Sequence, residues 1–205
     1  MLARAALDQA IVRMGIDAPA GILTQTDRLM RDMLSSCNLP RGIATNMDAG
    51  LAFVDQRERK LRYAGAKISL YWSDGEQVGE IKGVRRAIGD RRVGQYVDTE
   101  IDMLSGVTYY LATDGFLDQA GGELGYGFGN SRFARLLRAH ARLPMAEQAR
   151  ALDEELERYL TSPAACVRRY SPPTPCTHAP MPRRRWWWWS ALAAHCSAGF
   201  SSTHW

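Results

Sequence analysis

Thr108-Tyr109-Tyr110-Leu111-Ala112-Thr113-Asp114-Gly115-Phe116-Leu117-Asp118-Gln119 starts as a strand and breaks off abruptly. The aromatic and β-branched run over 107–112 predicts a buried strand. It stops at Asp114-Gly115, where glycine permits a sharp turn and the aspartate is left at the strand's end. A carboxylate in that position can hold a hard divalent cation, which takes oxygen ligands and orders water beside a phosphate. An Asp-Gly pair after a strand also reads as a plain turn. The dipeptide leaves both readings open, so the flanking sequence has to separate them.

Upstream of this stretch the periodicity is that of short strands. Residues 51–55 and 61–65 flank a polar turn and predict one hairpin. Residues 68–72 and 77–81 flank Ser73-Asp74-Gly75-Glu76 and predict a second. Alternation over 96–103 predicts a further strand, expected to pair with the one leading into Asp114. Short connections favour antiparallel pairing throughout. Earlier in the chain, residues 2–14 show helical spacing up to Gly15, and a second helix is expected with Thr26 as its N-cap and Asn38 and Pro40 as its stop. That helix carries Leu29, Met30, Met33 and Leu34 on one face, as core packing or as a groove for a partner helix. Asp48, before the first strand, reads only as a turn residue. Downstream, a glycine-rich loop spans 121–130, with no P-loop Lys-Ser/Thr after it. Asn130 or Ser131 is expected to cap a helix bearing Phe133, Leu136, Leu137 and His140, with His140 as a packed helix residue. A last helix is expected over 146–160.

Charge and cysteine usage narrow the classes. The chain has 205 residues, long enough for one substantial core, and carries a net charge of +4. Five arginines and no acid lie in 161–205, which leaves 21 basic against 22 acidic residues before it. The body is therefore near neutral, without the basic surface that nucleic-acid binding needs. No run is long enough for a membrane span and the N-terminus lacks a secretory pattern. Cys37 is the body's only cysteine, so no disulfide framework exists there, and the expected setting is cytoplasmic. It has no basic neighbour in sequence that would make it reactive.

The string from Thr108 to Phe133, TYYLATDGFLDQAGGELGYGFGNSRF, resembles the signature of SpoIIE-type bacterial protein phosphatases, in the PPM class of metal-dependent serine/threonine phosphatases. Upstream, MDAGLAFVDQRERKLRYAGAKISLYWSDGEQVGEIKG and RRAIGDRR resemble the same family's hairpins and Ile-Gly segment, in the expected order. The resemblance is clear over about 48–160 and weaker before it. It implies an α+β fold, an antiparallel β-sandwich flanked by helices in α/β/β/α layers, incomplete in this chain. It implies that Asp114 is a metal ligand and that the glycine-rich loop is a flap over the site. Gly115 and Asp118 are further metal candidates; Asp118 would add a carboxylate directly or through water, or else cap or hydrogen-bond the loop. The implied cofactor is Mn²⁺ or Mg²⁺ in a two-metal site. The implied reaction is attack of activated water on phosphoserine or phosphothreonine of a regulatory protein of the anti-sigma-factor-antagonist kind, with no phosphoenzyme. The family's other ligands come from an Asp-x-x-Gly-His-Gly-type motif before the first long helix and an acidic motif entering the last strand. Neither is found here, so residues 1–160 are expected to be a partial phosphatase domain, weak or impaired in activity. A full-length parent could carry a sensor domain upstream.

Arg85, Arg86, Arg91 and Arg92 bracket Ile88-Gly89-Asp90. Their guanidinium forks suit phosphate, and Arg86 and Arg91 are candidate substrate-binding residues. A solvated charged loop is the competing reading. After residue 160 the composition changes: six of nine prolines, five of six tryptophans and three of four cysteines fall in 161–205. The segment is expected to be aberrant, as a frameshift would make it, and disordered or poorly packed. Zinc binding through Cys166, Cys176, His178, His195 and Cys196 lacks the paired Cys-x-x-Cys spacing. Arg183 to Trp189 would suit an interfacial membrane anchor. Three functions therefore compete: a metal-dependent phosphatase, a non-catalytic phosphoprotein-binding module that keeps the partner surface, and a tail-driven binder of membrane or nucleic acid.

Overall fold

Strands that bury both faces need a layer on each side, and the chain supplies helices for both outer layers. The computed structural model describes residues 2–35 and 46–162; the expectations for Cys37, for the helix stop at Asn38 and Pro40, and for nearly all of the tail lie outside them. Helix α1 (Leu2–Met14) has the span its spacing predicts and buries Ala6 and Ala10. Helix α2 (Pro19–Ser35) begins well before Thr26. Proline suits a first helical position because its missing N–H would be unpaired there anyway. The Ala20 N–H donates to Asp98 Oδ1 at 2.8 Å, a cap supplied from far along the chain. Thr26, expected as the N-cap, is buried inside the helix and its hydroxyl donates to the Ile22 carbonyl at 2.7 Å.

Strands β1 (Ala49–Asp55) and β2 (Lys60–Ala66) form the first hairpin, and β3 (Leu70–Ser73) and β4 (Val78–Ile81) the second. Strand β5 (Thr99–Asp102) then pairs with β2, opposing Ile101 to Leu61, and β6 (Thr108–Leu111) pairs with β3, opposing Leu111 to Leu70. The expected pairing of residues 96–103 with the strand that leads to Asp114 is thus corrected. The intervening loop carries the chain from one sheet to the other, with Met103 and Val107 buried between them. The Met103 N–H extends the β2 edge by donating to the Arg59 carbonyl. Two three-stranded antiparallel sheets result, ordered β1-β2-β5 and β4-β3-β6.

Side-chain alternation assigns the layers. Leu61 and Tyr63 of β2, Leu70 of β3 and Tyr109 of β6 meet in the core between the sheets. Ala64 and Ala66, on the other face of β2, pack against Ala20, Leu23 and Met30 of α2. Tyr71 and Tyr110, on the outer face of the second sheet, pack against the C-terminal helices. The architecture is α/β/β/α.

After β6 the chain forms a single helical turn, α3 (Asp114–Leu117). The expected sharp turn at Asp114-Gly115 is corrected: Gly115 lies outside the left-handed region and a Cβ there would make only ordinary contact with Thr113. A small hairpin of β7 (Ala120–Gly121) and β8 (Tyr126–Gly127) follows, then α4 (Gly129–His140) and α5 (Met145–Leu160). Phe128, not Asn130 or Ser131, stands at the α4 N-terminus, and among the described residues no side chain caps it. Phe128 is buried against Phe116 and Tyr159, and its N–H donates to the Gln119 carbonyl, so packing fixes where the helix begins. Phe133, Leu136 and Leu137 are buried as expected, and His140 is half-buried in the last turn of α4. No helix among the described residues is long and apolar enough to cross a membrane.

Candidate metal and phosphate centre

The β2–β3 connection is the corner where the chain leaves one sheet for the other, and it organises the site. The corner is tight. A Cβ at Gly65 would collide with the Ile68 carbonyl and the Tyr63 hydroxyl, and one at Gly83 would collide with the same carbonyl. The Tyr63 hydroxyl donates to Ile68 O, and burial pushes its pKa far above the ordinary phenol value. Val84 locks the outer side: its N–H donates to Gly65 O and its carbonyl accepts from the Lys67 N–H, both at 2.7 Å. Lys67 is thereby held at φ +64°, in the left-handed region where a non-glycine residue costs about 1 kcal/mol relative to glycine.

Two aspartates flank this corner, one from each sheet. A parallel bridge of Ala49 to Lys67 brings the residue before β1, Asp48, alongside. The Leu70–Leu111 register sends the chain after β6 back towards the same corner, carrying Asp114. Lys67 Nζ lies 3.5 Å from Asp48 Oδ2. The Asp114 carboxyl lies near enough to Asp48 to act on its charge. Burial, followed by the neighbouring Asp114 carboxyl, holds Asp48 above the usual carboxylate range, and Lys67 acts against them. Two neighbouring carboxylates beside one ammonium form a pair whose repulsion a further cation would relieve.

A cleft of about 180 Å³ opens beside this pair, lined by Lys67, Ser69, Ala112, Asp114, Asp118 and Asn130 among others. One helical turn puts Asp118 on the same cleft, its N–H donating to Asp114 O at 2.7 Å. Gly115 lies within that turn. Among the described residues, no three Asp, Glu, His or Cys side chains gather closely enough to hold a metal ion. Carboxylate oxygens such as those of Asp114 and Asp118 are the donor type that a hard cation takes.

The arginine loop lies next to this centre but outside the cleft. Met47 and Ile88 exchange both backbone hydrogen bonds, at 2.8 and 2.9 Å, placing the loop beside the residue that precedes Asp48. Asp27 of α2, 1 % exposed, accepts from the Gly89 N–H at 2.6 Å and from Arg31 Nε at 3.0 Å, pinning the loop from below. Arg86 pairs with Asp90 at 3.7 Å, and Arg91 is exposed. Neither lines the cleft. The glycine-rich segment forms the β7–β8 hairpin, and Gly129 and Asn130 at its exit line the cleft. Tyr159 of α5 braces it, donating to Tyr126 O at 2.7 Å, while the Gly122 N–H donates to Tyr159 O at 2.8 Å.

Sequence reasoning missed Asp48 and Lys67. Asp48 precedes a strand as any turn residue does, and only the pairing across two sheets brings it to Asp114.

The sequence model of the Stage II sporulation protein E (SpoIIE) family matches residues 1–165. Among solved structures, the chain is similar to the SiaA-PP2C domain of Pseudomonas aeruginosa, at 56% identity and a TM-score of 0.73, over 80% of this chain and 63% of that one. It thus spans less than two thirds of that relative's length. The fold is shared with the PP2C phosphatase domain and regulatory-domain fragment of SpoIIE from Bacillus subtilis, at 15% identity, a TM-score of 0.56, and coverage of 80% of this chain and 45% of that one. It is shared also with RsbX in complex with magnesium, at 12% identity, a TM-score of 0.50, and coverage of 79% and 67%. No curated protein sequence matches the chain. A family match over most of the chain, with α/β/β/α layers and an aspartate at the end of β6 facing a second across the sheets, leads to one assignment: the chain belongs to the SpoIIE family of PP2C-type phosphatase domains.

Proposed function

We propose that this chain is part of a metal-dependent phosphatase acting on phosphoserine or phosphothreonine of a regulatory protein, in a cytoplasmic setting. The observation that carries the reading is the approach of Asp48, which precedes β1 of the first sheet, to Asp114, which follows β6 of the second and lines a cleft together with Asp118. Asp114, Asp118 and the Gly115 carbonyl would hold Mg²⁺ or Mn²⁺, with Asp48 beside them and further carboxylates completing a two-metal site. When bound, such ions act as Lewis acids and generate a hydroxide-like nucleophile from water. The chain's own groups do the rest. Asp114 and Asp118 orient water at the cleft, and Ser69 and Asn130 offer hydrogen bonds to a phosphoryl oxygen. The loop with Arg86 and Arg91 offers a cationic surface to the phosphoprotein outside the cleft.

Titration of the chain with Mn²⁺, read by calorimetry, tests the reading. Asp114→Asn is expected to weaken binding at least about tenfold, as the loss of one charged ligand does. Equal affinity in the variant would remove Asp114 from the centre. Binding of a phosphorylated partner without release of phosphate would make the chain a binding module instead.

A further inference from the structure

The lysine at the sheet-to-sheet corner has no evident reason to be there on structural grounds alone. Its backbone sits at φ +64°, where glycine is the stabler residue, and both its N–H and the neighbouring corner are locked by Val84, Gly65 and Gly83. Its ion pair with Asp48 is 3.5 Å long and the lysine side chain is 46% exposed. A pair so open to solvent contributes little stability. A residue held in a sparsely populated conformation beside a cleft points to a use for its side chain.

Among the described residues, Lys67 is the one basic side chain that lines the cleft. The cleft otherwise presents Asp114 and Asp118, with Asp48 near enough to Asp114 for the two charges to act on each other. A phosphomonoester dianion entering between these carboxylates meets repulsion unless a cation stands at the wall. An ammonium has three donors; Asp48 can engage one, which leaves the others for phosphoryl oxygens. We infer that Lys67 is the phosphoryl-binding residue of the cleft and that Asp48 is the positioning residue that aims it. The ligand class is a phosphomonoester dianion. The inference deepens the phosphatase reading and rests on it for the choice of ligand.

The test uses the full chain and inorganic phosphate as the probe, with binding read by calorimetry and by phosphorus NMR, Mn²⁺ affinity measured in parallel, and thermal melting as a fold check. Lys67→Gly is expected to melt a few degrees higher, because it relieves the left-handed lysine. It is expected to keep or improve Mn²⁺ affinity and to lose phosphate affinity about tenfold, as removal of a charged hydrogen-bond donor does. Lys67→Met, which keeps the stem without the charge, is expected to lose phosphate affinity equally. Asp48→Asn should weaken phosphate binding less than either, while Lys67→Arg should retain most of it.

Unchanged phosphate affinity in Lys67→Gly and Lys67→Met would overturn the assignment, even with Mn²⁺ binding intact. So would a wild-type chain that takes Mn²⁺ but no phosphate at millimolar concentration. Loss of Mn²⁺ dependence on Asp114, with phosphate binding still set by Lys67, would sink the metal centre and leave the phosphate subsite standing.

Discussion

Tyr96 and Asp27 show how much a single polar atom decides in this fold. The Tyr96 hydroxyl is buried without a hydrogen-bond partner among the described residues, and burial pushes its pKa up to about 12. An unpaired buried hydroxyl costs more than it returns, so Tyr96→Phe is expected to raise stability by about 1 kcal/mol. A shift of roughly 2–4 °C in thermal midpoint would register it; a lower midpoint would mean that the hydroxyl has a partner in solution. Asp27 is the opposite case. Its two oxygens hold the Gly89 N–H and Arg31, so Asp27→Ala strands both donors and is expected to cost about 2 kcal/mol. Hydrogen exchange at Gly89 and its neighbours should quicken in that variant. Neither role is visible in the sequence. Asp27 sits at an ordinary helix position and its partner lies 62 residues away. Asp114 was legible because the strand ahead of it is so apolar and its end so abrupt. Asp48 and Lys67 were not, because their significance depends on which strands become neighbours.

At the scale of elements, the helix and hairpin spans followed from local pattern, while the pairing between hairpins did not. The α1 bounds and both hairpins could be read from apolar spacing and turn residues, since those are short-range properties. The partner of β5 is set by burial of Met103 and Val107 between the sheets, which no window of the chain contains. The start of α2 was misread because its capping carboxylate, Asp98, comes from beyond β4. The β7–β8 hairpin shows the same dependence on distant partners. It is held to α5 by the Tyr159 hydroxyl and backbone, with Arg132 stacked 4.7 Å from the Tyr159 ring centre. Tyr159→Phe removes the hydroxyl donor and keeps the ring packing. It is expected to lower global stability by less than about 1 kcal/mol, yet to speed amide exchange across 120–127 several-fold. Uniform exchange in both proteins would show that backbone pairing and ring packing alone hold the hairpin.

The whole molecule is a stack with tyrosines in all three of its inter-layer cores, Tyr96 coming from the loop before β5 and the others from strands. Tyr63 lies between the sheets, Tyr96 against α2, and Tyr71 and Tyr110 against the C-terminal helices. Burial is the leading cause that raises each of them, Tyr71 and Tyr110 to about 12 and Tyr63 further. Below pH 10, the ordinary phenol value, both folded and unfolded chains keep these groups neutral and they contribute no pH dependence. Above it the unfolded chain ionises first, so stability is lost as pH rises from 10 through about 12. Urea midpoints should fall steeply over that window, and tyrosinate absorbance from the buried set should appear together with unfolding. Ionisation that precedes unfolding would contradict their burial. The layering also bears on the centre itself. Asp48 travels with the first sheet and Asp114 with the second, and the corner at Lys67 is the short link between them. Sliding one sheet over the other by a single residue, about 3.3 Å, would part the two carboxylates without breaking a rung of either ladder. The acidic pair is therefore a vernier of inter-sheet alignment, and any force that shears the sandwich is felt first as a parting of its two carboxylates.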